Sequence, residues 1–499
     1  MMTKYKFLCA DIGTTSLKAA LVSDKGQVLS FSRVPFEKCS SEKISNEWIK
    51  ALKVAAAELS SGASASNAAP DAASNLVPDS LTASNSSTAS NSSTAPLECD
   101  NSFTNPAPLD CDAICISGNG PTLVTEDGTT LLWNEPIDAD SFVQTRATLD
   151  SKFEHSLFLP RIHALKTRWP QKFESQKIFS GPEYLIHKLC GACITILPES
   201  RYEAAYWNDD ALKALNLNPE RVGRFVKPGF NCGSITDSSA KLFNIKPDIP
   251  VIAGGPDFIV AMIGTNTLSQ GKICDCAGSS EGVNLCTDSP VFEEGLRTLP
   301  SVIPGLWNLA ALMPSSGKEF VKCKNRYEQI HAHEQIHPAC TDEPRDIECR
   351  DNLATHADEP HDFKISYKEY IAHCFADKES EGYKTMTRLA YSVRDGLKKL
   401  KDCALKHNLN FSDTIMITGG QAKNEQWMQL KTDITQTTFC VTEVPDSELI
   451  GDAVLCAYSL GLDDSIQKAA DSIVKIAKTY NPNPVQKQNP QSFDNEDIK

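Results

Sequence analysis

At 499 residues the chain is too long for one hydrophobic core, and two domains of about two hundred residues each are expected. Its 41% hydrophobic and 23% charged residues are ordinary for a globular protein, and no apolar run approaches the roughly 18 residues of a membrane span. Forty-nine basic against 64 acidic residues leave a formal charge of −15 with no basic block, which argues against nucleic acid as a partner.

The first residues, Met1-Met2-Thr3-Lys4-Tyr5, lack the basic start and apolar core of a secretion signal, so a cytoplasmic protein with reduced thiols is expected from its 18 cysteines. Residues 7–10 read as a buried strand ending in Asp11-Ile12-Gly13-Thr14-Thr15-Ser16, and strands over 17–22 and 27–31 follow around Asp24-Lys25-Gly26. An amphipathic helix is expected over 46–59. Between 60 and 108 the composition shifts to Ser, Ala, Asn, Thr and Pro, with Ala-Ser-Asn-Ser-Ser-Thr written at 83–88 and again at 89–94. Such a segment buries too little apolar surface to offset its ordering entropy and reads as a disordered insertion. Asn85 and Asn91 match the glycosylation triplet, but a chain without a secretion signal does not meet that machinery.

Order resumes with a strand over 113–117 and a hairpin of 122–125 and 130–133 around Glu126-Asp127-Gly128-Thr129. A helix over 184–189 gives way to a β-like run at 194–197, and Cys190-Gly191-Ala192-Cys193 between them reads as small residues at a turn, with no second pair at zinc-binding spacing. A strand over 249–253, a helix over 256–263 and a hairpin-like pair over 272–277 and 282–286 come next, with Cys274 and Cys276 read as strand residues. Residues 326–363 carry two copies of Glu-Gln-Ile-His; His331, His333 and His337 have no carboxylate or cysteine framework around them, so a solvated insertion is expected in place of a metal site. A long helix over 383–407, a strand over 414–418, helices over 424–436 and 451–460, and a polar tail after Tyr480 complete the chain. The division expected is an N-terminal lobe over 1–254, a C-terminal nucleotide-binding lobe over 255–480, and a tail over 481–499.

Four segments carry chemistry. Asp11-Ile12-Gly13-Thr14-Thr15 turns one strand straight into another, so backbone N–H groups and two hydroxyls converge where Gly13 lets a phosphate approach; Asp11 is a hard oxygen ligand for magnesium and Lys18 a point charge. Gly278-Ser279-Ser280 echoes that turn in the second half, and two such turns could grip one polyphosphate from opposite sides. Gly254-Gly255-Pro256-Asp257 joins a strand to a helix, with Asp257 in the first turn, where the helix dipole favours a carboxylate that could orient an acceptor hydroxyl and take its proton. Thr418-Gly419-Gly420-Gln421-Ala422-Lys423 runs from a strand through a glycine pair into a helix, which lets adenine or phosphates approach the backbone. Each of these has an ordinary structural reading, as a hairpin corner, a helix start or a tight turn, and neither the Walker nor the dinucleotide pattern is present.

In this order the segments resemble the FGGY carbohydrate kinases, within the superfamily of sugar kinases, actin and heat-shock ATPases, over about 5–462 without the two insertions. The resemblance implies an α/β protein of two ribonuclease-H-like lobes, each a mixed sheet flanked by helices, with ATP and Mg2+ bound in the cleft between them. It makes 7–20 the first phosphate motif, with Asp11 for the metal and Gly13, Thr14, Thr15 and Lys18 for the phosphates, and 271–285 the second, with Gly278, Ser279 and Ser280. Asp257 inherits the role of base, and Gly419, Gly420, Lys423 and Asn424 the nucleotide role. Residues 116–133 resemble the sugar-facing hairpin, with Asn119, Thr122 and Trp133 as substrate candidates and Asn134 beside them. Where glycerol kinases place Arg-Glu and xylulokinases Met-His, this chain has Ser117-Gly118-Asn119-Gly120-Pro121-Thr122, so neither substrate carries over; Pro256 also stands where the family has Gly. The expectation is ATP-dependent phosphorylation of a small sugar, sugar acid or polyol, with a homodimer compatible with it. A regulatory sugar-binding relative without catalysis is the alternative, and a chaperone or cytoskeletal relative would lack the base.

Overall fold

Six of the seven residues of β1 (Lys6–Ile12) are buried, and a strand apolar on both faces belongs in the middle of a sheet covered on both sides. It lies there in the computed structural model, which describes residues 4–61, 107–148, 151–313, 315–336 and 363–484. Phe7 and Cys9 enter one core while Leu8, Ala10 and Ile12 enter the other, as the two-residue period of a strand requires. β2 (Ser16–Ser23) and β3 (Val28–Pro35) follow as antiparallel neighbours, and β4 (Ala113–Gly118) lies parallel to β1 on its other side. The helix Ile44–Ser60 buries Trp48, Leu52, Ala55 and Leu59 at helical spacing against this sheet.

Short strands then build the rim: β5 (Leu123–Thr125), β6 (Thr130–Leu131) and β7 (Ile178–Phe179) form one small sheet, and β8 (Ile194–Ile196) pairs with β9 (Arg224–Val226). The helix Gly181–Cys190 precedes β8 and ends on Gly191 at φ +76°, so the Cys190–Cys193 segment is a helix cap and turn. β10 (Asn231–Ser234) and β11 (Pro250–Pro256) complete a six-stranded sheet in the order β10-β11-β4-β1-β2-β3. The domain boundary expected at 254/255 therefore falls inside β11, because Gly255 and Pro256 still pair with Ser117 and Gly118.

The second sheet has seven strands: β12 (Ile273–Ala277), β13 (Glu281–Thr287), β14 (Arg297–Pro300), β15 (Trp307–Met313), β16 (Thr414–Thr418), β17 (Thr438–Thr442) and β18 (Ile476–Tyr480), in the order β14-β15-β13-β12-β16-β17-β18. β12 repeats the relations of β1, antiparallel to the strand after it and parallel to β16, which in turn runs parallel to β17. The two turns singled out from the sequence thus join the first and second strands of equivalent sheets. The helix Glu381–Lys406 covers one face of the second sheet with Val393, Leu397 and Leu400.

Two helices connect the sheets. Asp257–Gly264 leaves β11 and crosses Ser447–Ser459, which packs in turn on β1 and β4. The crossing is backbone to backbone: a Cβ on Gly264 would stand 1.8 Å from the Ser447 carbonyl oxygen, and one on Gly451 2.1 Å from that of Val260.

Part of one expected insertion is helical. Residues 326–336 continue the helix Ser316–Ile336, with Lys324 and Glu328 paired at 2.6 Å in a buried setting and His331 stacked on Tyr327. Aromatic and apolar residues at helical spacing outweigh the local His and Glu bias there. Residues 337–362, including His337, the side chain of His333, residues 62–106 with Asn85 and Asn91, and the tail from 485 lie outside the described residues. The helix expected over 451–460 begins at Ser447, and a further helix, Ile466–Ile473, follows it. Among the described residues no helix is long and apolar enough to cross a membrane, and the described cysteines are free thiols.

Candidate active site

Asp11 stands near the end of β1, in register with Lys18 on β2 and Ser117 on β4. It is 2% exposed; Oδ2 accepts from Lys18 Nζ at 3.2 Å, while the buried Oδ1 has no hydrogen-bond partner. Lys18 Nζ also lies 3.3 Å from Asp446 Oδ1, and Asp446 Oδ2 accepts from Lys423 Nζ at 2.9 Å. Burial alone would lower the pKa of Lys18, but Glu448, Asp446 and Asp11 hold it well above the ordinary lysine value. Burial likewise opposes the charge on Asp446, and Lys18 and Lys423 outweigh it and keep that carboxyl ionised. An orphaned buried carboxylate oxygen beside the exposed Thr14 and Thr15 fits a hard divalent cation, held directly or through water.

Asp257 opens its helix directly after β11. A bulge between Ala253 and Gly255 shifts the register against β4, with Gly255 at φ +143°, and such a bulge re-aims the residues after it. Asp257 Oδ1 accepts the N–H of Phe258 at 2.7 Å. Burial and the negative charge of Asp11 push its pKa up to about 6, against the pull of that N–H and of Lys18. The two carboxyls expected to serve metal and base are therefore close enough to feel each other's charge.

Gly278, Ser279 and Ser280 are exposed at the β12–β13 turn, closed by a Gly278 N–H to Ser280 carbonyl bond of 3.0 Å. Gly419 sits against them at φ +98°: a Cβ there would lie 2.4 Å from the Ala277 carbonyl oxygen. Its N–H donates to the Pro445 carbonyl at 3.1 Å, next to Asp446. A continuous run of contacts thus links the second turn through Gly419, Asp446 and Lys18 to Asp11 at the first. Gly420 is exposed with open space around it, Lys423 is committed to Asp446, and Asn424 caps the helix Glu425–Thr435 by accepting the Trp427 N–H at 3.0 Å.

On the sugar side, Asn119 is 8% exposed and its Nδ2 lies 3.5 Å from Thr14 Oγ1, which ties the hairpin to the phosphate turn. Thr122 is fully buried and its hydroxyl accepts the Trp133 N–H at 3.0 Å, so it fastens the hairpin. Trp133 keeps a buried indole N–H without a partner, its carbonyl is held by Arg161, and Asn134 is exposed. A cavity of about 10 Å³ lies between the Gly118–Gly120 turn and Gly255–Pro256, with Glu183 and Tyr206 in its wall. A larger one of about 390 Å³, around Arg224, Phe225 and Phe230, contains none of the residues expected from the sequence.

Several charged groups here were not foreseen. Glu448 is raised to about 7 by burial and by Asp11 and Asp446, against Lys18. Asp452 is fully buried, bonded to Ser117 Oγ at 2.9 Å and Cys115 Sγ at 3.2 Å, and pushed well up by burial. Both lie on one face of Ser447–Ser459, four residues apart, and a helix read from 447 instead of 451 would have shown them together. Beneath the second turn, Lys431 is fully buried between Asp275 at 2.7 Å and Glu281 at 2.5 Å. Its signal was a lone lysine on the same helical face as Trp427, Met428 and Thr435.

Residues 377–460 match the model of the C-terminal domain of the FGGY family of carbohydrate kinases. A xylulose kinase of Staphylococcus epidermidis is 23% identical over 397 residues, which cover 73% of this chain and 77% of that one. A gluconokinase of Bacillus licheniformis is 22% identical over 497 residues, covering 95% and 91%. Among solved structures, the xylulose kinase from Rhodospirillum rubrum superposes with a TM-score of 0.62 at 16% identity, covering 96% of this chain and 94% of its own. The Plasmodium falciparum glycerol kinase with ADP gives 0.63 at 13% identity, with the same coverage of 96% and 94%. The fold, two mixed sheets flanked by helices, is that of the two-lobed sugar kinases. Over residues 377–460 and in its fold, the chain is thus similar to the FGGY family of carbohydrate kinases.

Proposed function

We propose that the chain transfers the terminal phosphoryl group of ATP, with magnesium, to a hydroxyl of a small sugar, sugar acid or polyol. The observation that supports this reading is the chain of ion pairs from Asp11 through Lys18 to Asp446, between two hydroxyl-rich turns, with Asp257 near enough to feel the charge of Asp11. Asp257 orients the acceptor hydroxyl and accepts its proton late in a loose transition state, for which a carboxylate with a pKa near 6 is a sufficient base. Lys18 faces the phosphates from a position where neighbouring carboxylates keep it charged. Thr14 and Thr15 from one sheet, and Ser279 and Ser280 from the other, supply N–H and hydroxyl donors to the phosphate oxygens, while Gly13 and Gly278, whose N–H groups close the turns onto the Ser16 and Ser280 carbonyls, shape the two turns. Gly420 leaves room for the nucleotide, Gly419 lets the second turn pack close beside it, and Lys423 fixes Asp446 nearby. Magnesium, when bound, would neutralise phosphate charge, and the free Oδ1 of Asp11 is the oxygen suited to hold it or its water.

The test is a coupled ADP-release assay of purified protein with ATP and magnesium across pentuloses, hexoses, sugar acids and polyols, with calorimetric binding measured on the same panel. Turnover of one compound well above the rest establishes the kinase. Binding of sugar and ATP with no turnover of any compound would replace it with a regulatory sugar-binding protein.

A further inference from the structure

The cavity behind the Gly118–Gly120 turn has polar groups that the phosphoryl-transfer machinery does not use. Glu183, in the first turn of the helix Gly181–Cys190, is 3% exposed. Its Oε1 accepts the Ile196 N–H at 2.8 Å, and its Oε2 is buried with no hydrogen-bond partner. Ser180 precedes it with a hydroxyl that does not cap the helix, and Tyr206 lies near enough for a charge on Glu183 to oppose ionisation of its phenol. Gly118, Gly120, Gly255 and Pro256 also line it, and Pro256 is followed directly by Asp257. At about 10 Å³ the cavity admits one water-sized group.

Resting on the kinase reading of this site, we infer that Glu183 is a specificity-determining residue. Its free carboxyl oxygen reads a single hydroxyl of the acceptor, one not phosphorylated, and the pocket selects neutral sugars and polyols over sugar acids. An orphaned buried oxygen is costly unless a ligand or water partners it, and the pocket beside the base is where a substituent of the acceptor would reach it. Burial holds the Glu183 carboxyl at about 7, the Ile196 N–H pulling the other way. It can therefore donate to a hydroxyl oxygen when protonated and accept from the hydroxyl when ionised. No lysine, arginine or histidine lines the cavity, so a substrate carboxylate placed there would be desolvated beside an acidic group without a compensating charge.

The experiment compares wild type, Glu183→Gln and Glu183→Ala on the best compound of the panel and on its monodeoxy analogues, reading kcat, KM and calorimetric Kd. In wild type one deoxygenation away from the phosphorylated position should weaken binding about tenfold to a hundredfold. Glu183→Ala should bind the parent compound that much more weakly, with kcat changed far less than KM, and should no longer distinguish the parent from that one analogue. Glu183→Gln keeps an acceptor for the Ile196 N–H and a donor for the cavity, and should restore most of the discrimination. Deoxygenation penalties that are the same in wild type and Glu183→Ala would overturn the assignment, as would a sugar acid as the preferred substrate, while leaving the kinase intact. Binding without turnover would sink the kinase reading alone, since the Kd comparison still decides the role of Glu183. Failure of every polyhydroxylated compound to bind would sink both.

Discussion

Asp257 is asked to be ionised where ionisation is opposed, by burial and by Asp11, and its pKa of about 6 against an ordinary 3.8 expresses that conflict. The base works only when deprotonated, so kcat/KM should be level above about pH 6 and fall about tenfold per unit below it. Asp257→Asn keeps the shape and the hydrogen bond from Phe258 but cannot accept a proton. Turnover should drop by several orders of magnitude while the calorimetric affinity for sugar stays within about threefold, and near-normal turnover would remove Asp257 from the role of base. The same conflict costs stability. A carboxyl whose folded pKa is raised holds its proton longer in the folded than in the unfolded state, so between pH 3.8 and about 6 stability falls as pH rises, and above that the full loss is present. Allowing for partial exposure, Asp257→Asn should gain about 1–2 kcal/mol at pH 7.5, read as a higher denaturation midpoint. Loss of activity together with gain of stability separates a strained functional group from a structural one, whose removal would lower both.

The second phosphate turn stands on a buried ionic bracket: Lys431 on one helix holds Asp275 at the middle of β12 and Glu281 at the start of β13, with Gln421 bonded to Glu281 at 3.0 Å. Burial and Glu281 raise Asp275 to about 7 even against Lys431. Lys431→Met leaves two carboxyls without their cation and should cost about 3–5 kcal/mol at pH 8. Because those carboxyls can then escape their penalty only by taking up protons, the stability gap from wild type should narrow as pH falls to 5.5; a gap that does not change with pH would mean lost packing instead. None of this bracket was visible as a bracket in the sequence, since its members lie 150 and 156 positions apart and only their strand or helix was local information. What could be read were features written in consecutive residues: β1 and its turn, β16 to its exact bounds, and the helix that starts at Asp257. What could not be read were edge elements with little apolar pattern, such as β10, where no residue is buried, and β14, where one is. The candidate site divides the same way. Asp11, Asp257 and the two glycine-serine-threonine turns announce themselves through their neighbours. Glu183 looks like any acid in a first helical turn until β8 and the Gly118–Gly120 turn close around it, and Thr122, which looked like a sugar ligand, turns inward to hold Trp133.

Both sheets place a polar turn between their first two strands, and the helices Asp257–Gly264 and Ser447–Ser459 join them through a contact too close for any side chain. A rigid crossing at one end leaves closure of the cleft to weaker contacts elsewhere, and these are found between the segment 200–202 of the first lobe and the β14–β15 hairpin of the second. Tyr202 donates its hydroxyl to the Pro300 carbonyl at 2.7 Å, Arg201 reaches the Ile303 carbonyl at 3.4 Å, and its guanidinium lies 4.5 Å from the centre of the Trp307 ring. The cavity of about 10 Å³ beside the base admits one water-sized group, and sugar entry by parting of the two sheets, with closure on the bound substrate, is the expectation that Tyr202→Phe tests. Tyr202→Phe deletes one buried hydrogen bond of the closed form and nothing of the hinge or the site. About 1 kcal/mol lost there shifts the balance of closed to open about fivefold. Small-angle scattering of the free variant should give a larger radius of gyration than wild type. Its sugar Kd should rise about three- to tenfold, because binding now includes the cost of closing, and saturation with sugar and a non-hydrolysable ATP analogue should bring both proteins to the same radius. If the free radii and the affinities are equal, the contact does not govern closure and the Gly264–Gly451 crossing alone sets the angle between the lobes. In that case Gly264→Ala, which forces the two helices apart, is the change that should widen the cleft.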